Sequence, residues 1–214
     1  MTSHVEPGAH PETLEPRLLS IRFSFALQFA AELHARQARK TTAVPYVSHL
    51  LAVSALVLEH GGDEETAIAA LLHDAIEDQV DEYPGDLRKA IRDTFGERVL
   101  GIVEECSDSP TSREKGPWRE RKVGYLDHLR VASAEARLVS ASDKLHNLRC
   151  VLADYRRAGE ALWDRFSGGR AGTLWYYREL ARSFATFGPA PLAEELRRAM
   201  DELERLVGPD APAA

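Results

Sequence analysis

The sequence predicts an all-α protein with a single helical domain, and three observations carry this prediction. Apolar residues recur at helical spacing along most of the chain. No segment shows the alternation of apolar and polar residues that marks a strand, and the sequence has no internal repeat. The 214 residues are enough for one large domain, and the hydrophobic content of 44% is typical of a globular core.

Breaks in the apolar spacing place the helices in order. The first predicted helix spans about residues 17–37, where TTAVPY interrupts it, and the second spans about residues 46–59 and ends at a Gly-Gly pair. Asp63 is a suitable N-cap for a third helix, which we expect to continue unbroken through DEETAIAALLHDAIED. Further helices are predicted at about 85–94, 97–106, 119–131, 135–153, 173–186 and 190–206.

Polar segments rich in proline and glycine mark the limits of the domain. We predict a flexible N-terminal arm over residues 1–16, the helical domain over 17–207 and a flexible tail over 208–214. Inside the domain, SDSPTSREKGPWRERK at 107–122 begins as a loop.

Composition and charge exclude several classes of function. The net charge of −7 argues against nucleic acid as the main partner, although local basic patches can hold a phosphorylated small molecule. No stretch reaches the roughly 20 apolar residues of a membrane span, and the N-terminus does not resemble a signal peptide. The two cysteines, Cys106 and Cys150, are too few for a disulfide framework. We therefore expect a cytoplasmic protein without a membrane contact.

The end of the predicted third helix concentrates ionisable side chains. His73, Asp74, Glu77 and Asp78 follow the apolar run AIAALL, which indicates a buried helix. At helical spacing His73 lies beside Glu77, and Asp74 lies beside Asp78. Like charges crowded near a buried helix need a proton or a cation to neutralise them, although an exposed helix end would also tolerate them. The segment is therefore a candidate metal site.

Two other apolar helices offer compatible ligands. His49 lies among Val47, Leu50 and Leu51, and Asp143 lies on another apolar helix with Asn147 one turn later. A buried aspartate inside a helix needs a partner. Two imidazoles and two carboxylates suit Mn²⁺, Fe²⁺ or Zn²⁺ better than Ca²⁺. The predicted set comprises His49, His73, Asp74 and Asp143.

Four blocks in this order resemble a known family: ARK-x5-YVSH, AALLHDAIED, FGERV and SDKLHNLR. The chain resembles the histidine–aspartate (HD) phosphohydrolases, and in particular the hydrolase domain of RelA/SpoT enzymes and its stand-alone forms, the small alarmone hydrolases. The resemblance extends over about residues 20–186, and too little chain follows it for the synthetase domain of the larger enzymes.

The resemblance implies a fold, a reaction and residue roles. It implies an all-helical domain that removes the 3′-diphosphate of guanosine tetra- and pentaphosphate with a divalent metal, usually Mn²⁺. Glu77 and Asp78 would activate water, Asn147 would contact the substrate, and Arg39 and Lys40 would contact the nucleotide. Tyr176 is the best match to a substrate-side tyrosine. The metal ligands would be His49, His73, Asp74 and Asp143.

Other polar residues have less specific roles. Lys144 adjoins the Asp143 ligand and is a candidate substrate contact, whereas we expect Arg149 to be solvated. Basic residues also cluster in and after the 107–122 loop. We expect His34 and His60 on the surface. We expect His128 and His146 to be hydrogen-bonded residues at the edge of the core.

Alternatives remain open at this point. The family usually has proline after the first metal histidine and threonine after the Glu-Asp pair, where this chain has Leu50 and Gln79. These departures leave open another nucleotide substrate, such as an adenosine alarmone, a nucleotide monophosphate or NADPH. A non-catalytic nucleotide sensor is the second alternative. The sequence does not decide the oligomeric state.

Overall fold

The computed structural model describes residues 18–40, 42–107 and 116–208, and within them the chain forms helices and no strand. The all-α prediction is confirmed. The predicted arm at 1–16 and nearly all of the predicted tail lie outside these residues. The α-helices are α1 (Ile21–Leu33), α2 (Val47–Glu59), α3 (Glu64–Leu72), α4 (Ala75–Gln79), α5 (Leu87–Phe95), α6 (Glu97–Cys106), α7 (Trp118–His128), α8 (Ala134–Ala158), α9 (Gly169–Phe187) and α10 (Ala190–Val207).

Two apolar clusters form the core, and α8 runs along both. Helices α1 to α6 enclose the first, around Ile68 and Phe95, and helices α7 to α10 enclose the second, around Leu145 and Phe184. Leu138 of α8 packs against both clusters. Because α8 is shared, a side chain on it can meet residues from either half of the protein.

Helix α3 is buried from Thr66 to its last residue. Asp63 caps it as predicted, since its carboxylate accepts a hydrogen bond from the Thr66 amide at 2.9 Å. The apolar run AIAALL therefore forms the buried part of a central helix, and the chain that follows it begins in the interior.

The prediction of one unbroken helix over 63–78 was wrong. Helix α3 ends at Leu72 and α4 begins at Ala75, with His73 and Asp74 in a turn between them. Asp74 has φ −94° and ψ 0°, a sparsely occupied conformation that many active-site residues adopt. The Tyr46 hydroxyl holds the Asp74 carboxylate at 2.5 Å, a contact that a pattern of apolar spacing does not encode.

The second half also departs from the predicted boundaries. Helix α8 continues five residues beyond its predicted end, to Ala158, and α9 begins at Gly169. Between them Gly159–Arg165 forms a 3₁₀ helix that the sequence analysis missed. Gly159 has φ +58°, a left-handed conformation that stops α8 and starts this turn. A 3₁₀ helix of seven residues is too short to show an apolar period.

Among the described residues, no helix is both long enough and apolar enough to cross a membrane.

Candidate metal centre and adjoining cavity

Three parts of the fold bring the predicted ligands together. His49 lies in the first turn of α2, His73 and Asp74 lie at the break between α3 and α4, and Asp143 lies in the middle of α8. His49, His73 and Asp143 are buried, and Asp74 is partly exposed. The break after α3 turns both members of the His-Asp pair towards the same point.

The ligand atoms lie close enough to share one ion. His49 Nε2 is 3.2 Å from Asp143 Oδ1 and 3.6 Å from Asp74 Oδ2. His73 Nε2 is 3.0 Å from Asp74 Oδ2 and 3.8 Å from Asp143 Oδ1. Ligand atoms of His49, His73 and Asp74 all lie within 4.8 Å of one another. The structure thus brings together the four residues that the sequence predicts as metal ligands.

Hydrogen bonds behind the two imidazoles orient them towards this point. His73 Nδ1 lies 2.8 Å from the Ala70 carbonyl oxygen, so Nδ1 donates to this oxygen and Nε2 is the atom that faces the carboxylates. His73 Nε2 is buried and forms no hydrogen bond within the described part of the chain. His49 Nδ1 lies 2.8 Å from His146 Nδ1, which leaves His49 Nε2 directed at the carboxylates. Such backing is typical of metal-bound histidines, and these residues fit a divalent metal.

The electrostatics of the centre also favour a cation. Burial alone lowers the pKa of His73, but Asp74 and Asp143 outweigh it and raise this pKa well above its usual range. Burial raises the pKa of both carboxyl groups, but Lys144 and the two histidines bring that of Asp143 well below normal, and His73 and His49 do the same for Asp74. One buried and one partly buried carboxylate therefore stay ionised, and they favour a positive charge between them.

Glu77 and Asp78, the predicted catalytic acids, follow on α4, and both are partly buried. The Asp78 amide closes a helical turn onto the Asp74 carbonyl at 2.9 Å, which keeps these acids within one turn of the ligand. Asp78 Oδ2 accepts a hydrogen bond from Gln37 Nε2 at 2.8 Å. Two carboxylates thus adjoin the candidate metal centre.

A cavity of about 390 Å³ opens beside the metal centre. The predicted substrate contacts Arg39, Lys40 and Asn147 line it. Arg39 Nη2 donates to Asn147 Oδ1 at 2.8 Å, and the Asn147 amide nitrogen donates to Asp143 Oδ1. The cavity wall is therefore connected to a metal ligand by hydrogen bonds. Its other walls include Tyr46, His146, Cys150, Asp154, Arg157, Arg165, Phe166 and Tyr177.

Two predicted substrate contacts lie elsewhere. Lys144 Nζ forms an ion pair with Asp143 Oδ2, so its charge supports the carboxylate behind the centre. Tyr176 is buried against Trp118, and its hydroxyl has no hydrogen-bond partner among the described residues. Its neighbour Tyr177 lines the cavity instead. Arg149 is exposed and pairs with Glu195, as expected for a solvated residue.

Four residues of the site were not predicted from the sequence: Gln37, Tyr46, His146 and Tyr177. Tyr46 lies inside the motif ARK-x5-YVSH, and Gln37 precedes its Arg-Lys pair by two residues. Their closeness to this motif could therefore have indicated that they belong to the site. The prediction that His34 lies on the surface was wrong. His34 is buried and stacks on Tyr46 with ring centroids 5.2 Å apart. His60, also expected on the surface, is partly buried.

Comparisons with known proteins agree with this geometry. The family model described as HD domain matches residues 26–174. The guanosine-3′,5′-bis(diphosphate) 3′-pyrophosphohydrolase MESH1 of Xenopus tropicalis is 40% identical over 142 residues, which are 65% of this chain and 72% of the relative. The Aquifex aeolicus guanosine-3′,5′-bis(diphosphate) 3′-pyrophosphohydrolase is 38% identical over 126 residues, which are 58% of this chain and 17% of that longer protein.

A solved structure of a metazoan SpoT orthologue that hydrolyses ppGpp superposes with a TM-score of 0.69 at 28% identity, covering 89% of this chain and 98% of that one. The resemblance found in the sequence is thereby confirmed. The chain belongs to the HD-domain family and, within it, to the MESH1-type proteins.

Proposed function

We propose that the protein hydrolyses guanosine 3′,5′-bis(diphosphate) to GDP and diphosphate, and the pentaphosphate to GTP and diphosphate. The observation that carries this proposal is the juxtaposition of the His49, His73, Asp74 and Asp143 ligand atoms with a cavity lined by Arg39, Lys40 and Asn147. The names of the relatives support the same reaction.

The four ligands would hold a divalent metal, for which we propose Mn²⁺, with Zn²⁺ or Fe²⁺ also compatible with the donors. Such an ion would supply Lewis-acid chemistry, acidifying water and withdrawing electron density from the phosphoryl group. Asp143 is kept ionised for this role by Lys144.

Glu77 and Asp78 would handle the protons of the reaction. As the water oxygen bonds to phosphorus, one of these carboxylates accepts the water proton. The bond between phosphorus and the 3′-oxygen breaks, and a proton is delivered to that oxygen to form the 3′-hydroxyl of the product. The position of both acids within one turn of Asp74 supports this assignment.

The cavity residues would bind the rest of the nucleotide. Arg39 and Lys40 offset the negative charge of the phosphates, and Asn147 supplies a polar group beside the metal ligand Asp143. The net charge of −7 makes a local basic wall important for attracting an anion. The partner is then a small guanine nucleotide, and we propose the cytoplasm as the place of action.

A phosphohydrolysis assay tests the proposal. Purified protein with Mn²⁺ is incubated separately with guanosine tetraphosphate, an adenosine alarmone, GTP, a nucleotide monophosphate and NADPH, and the products are separated. We expect GDP and diphosphate from guanosine tetraphosphate and loss of this activity on chelation. Turnover of another nucleotide alone would contradict the substrate. Tight nucleotide binding without turnover of any compound would indicate a sensor.

A further inference from the structure

Gln37 forms a polar link between the end of α1 and the acids on α4. Its side-chain amide contacts three side chains. Oε1 lies 2.6 Å from His34 Nδ1 and 2.7 Å from Gln79 Nε2, and Nε2 lies 2.8 Å from Asp78 Oδ2. Both His34 and Gln79 lie outside the proposed metal and substrate contacts, so the proposed function does not explain this arrangement.

The three contacts fix the orientation of the Gln37 amide. With Oε1 facing His34 and Gln79, the oxygen accepts two hydrogen bonds while the nitrogen donates to the carboxylate. Turning the amide over would set its oxygen against the Asp78 carboxylate and its NH₂ group against that of Gln79. The orientation therefore follows from the network, and it requires that His34 carries its proton on Nδ1.

The surrounding structure holds Gln37 in place. His34 is only 2% exposed, and its ring stacks on Tyr46 at an interplanar angle of 21°. The Tyr46 amide donates to the Gln37 carbonyl at 3.0 Å, which anchors the backbone as well. The Tyr46 hydroxyl donates to Asp74. Tyr46 thus supports a metal ligand, and Gln37, which is anchored to Tyr46, supports a candidate catalytic acid.

We infer that Gln37 is a positioning residue that holds the Asp78 carboxylate in the correct orientation for the reaction. An N–H donor in a hydrogen bond of this kind restricts the rotation of the carboxylate that accepts it. Gln37 acts through Asp78, and it does not line the cavity proposed for the substrate. This inference rests on the proposed function, since it assigns a partner to one of its two acids.

Two substitutions separate the shape of Gln37 from its donor. Gln37→Met keeps the length of the side chain but removes the polar group, and Gln37→Glu keeps the shape but replaces the donor by an oxygen. Both should lower kcat by roughly 10- to 100-fold with little change in KM, as is typical when an outer partner of a site residue is lost. Wild-type kcat in Gln37→Met would overturn the inference.

A matched control is available on the surface of α1. Gln28 Nε2 donates to Glu32 Oε1 at 2.8 Å, the same glutamine–carboxylate contact in an exposed place. Gln28→Met should leave kcat, KM and the melting temperature unchanged.

A double-mutant cycle distinguishes positioning from a general structural role. If Gln37 acts through Asp78, Gln37→Met should have no further effect on kcat in an Asp78→Asn background. An equal loss in both backgrounds would show that Gln37 supports the fold and would overturn the inference. An inactive wild type would instead contradict the proposed function.

If the wild type is inactive, the side-chain NH₂ signals of Gln37 still test the inference. In the protein without added metal, the side-chain NH₂ signals of Gln37, identified by their loss in Gln37→Met, should shift in Asp78→Asn and stay fixed in Glu32→Gln. NH₂ signals that ignore the Asp78 substitution would overturn the inference.

Discussion

His146 stands directly behind a proposed metal ligand. Its Nδ1 is 2.8 Å from His49 Nδ1, and since His49 offers Nε2 to the centre, His49 Nδ1 carries the shared proton. Burial lowers the pKa of His146 to about 4, so this ring is neutral and accepts the hydrogen bond. His146 Nε2 faces Cys150 Sγ at 3.8 Å.

This geometry predicts opposite results for two similar substitutions. Asn places its amide oxygen near the position of Nδ1, so His146→Asn should retain metal affinity, whereas Gln places its amide near Nε2. His146→Gln should weaken metal binding by roughly 10- to 100-fold, the range for partners of metal ligands. Competition with a chelating dye measures both affinities. Equal affinities for the two variants would contradict the role of His146.

His34 and Tyr46 show why part of the site could not be predicted from the sequence. The ligands His49, His73, Asp74 and Asp143 stand out because ionisable groups are unusual among apolar residues. His34 lies in the polar run ELHARQARK, where the sequence gives no sign of burial. Its burial depends on Tyr46 and on Gln37, which the turn after α1 brings alongside it. Local spacing does not contain that information.

One aromatic side chain of α7 packs against two glycines at the start of α9. A Cβ added at Gly168 would lie 2.8 Å from Trp118 Cη2, and one added at Gly172 would lie 3.2 Å from Trp118 Cζ3. Gly168 has φ −85°, so its backbone would accept alanine and only the contact with Trp118 opposes it. The absence of side chains at these positions makes room for the indole.

We therefore expect Gly168→Ala to destabilise the protein by about 1–3 kcal/mol, the usual cost of overpacking. Gly124→Ala is the matched control, because Gly124 lies on α7 with open space around its Cα. That substitution should stabilise the helix by about 0.5–1 kcal/mol. Urea unfolding measures both changes, and a neutral Gly168→Ala would contradict the packing argument.

The helices themselves were largely predictable, and the exceptions have local causes. Caps and apolar spacing placed α2, α6 and α10 within one residue of their bounds. The break at His73 and Asp74 was missed because Tyr46, whose hydroxyl holds the Asp74 carboxylate there, lies outside α3 and α4. The 3₁₀ helix was missed because its seven residues are too few to carry a repeated apolar signal.

A bound metal would connect three parts of the fold. Its ligands come from α2, from the break after α3 and from α8. A ligand that binds only the folded chain stabilises it by about 2.7 kcal/mol at 100 times its Kd. For a chain of this length that corresponds to a rise in Tm of about 5–10 °C. Differential scanning calorimetry with and without Mn²⁺ measures it, and His73→Gln should abolish the rise.

The size of this rise should depend on pH. In the metal-free protein the raised His73 pKa contributes stability below its unfolded value of about 6.5, and this contribution is lost as pH rises through the folded pKa. Metal binding requires neutral His73, so it must displace that proton at low pH. The rise in Tm should therefore grow from acid to alkaline pH. A rise that is constant with pH would contradict proton displacement.

Helix α8 joins the metal centre to the far wall of the cavity without a break. Asp143 is followed on one side of it by Asn147, Cys150, Asp154 and Arg157, and these four line the cavity. At 1.5 Å per residue, Asp143 and Arg157 are about 21 Å apart along the axis. The number of residues between these two positions of α8 therefore sets the length of the site. One inserted residue between Asn147 and Asp154 would rotate the far wall by about 100° and destroy the alignment, while changes in the surrounding loops would leave the length intact.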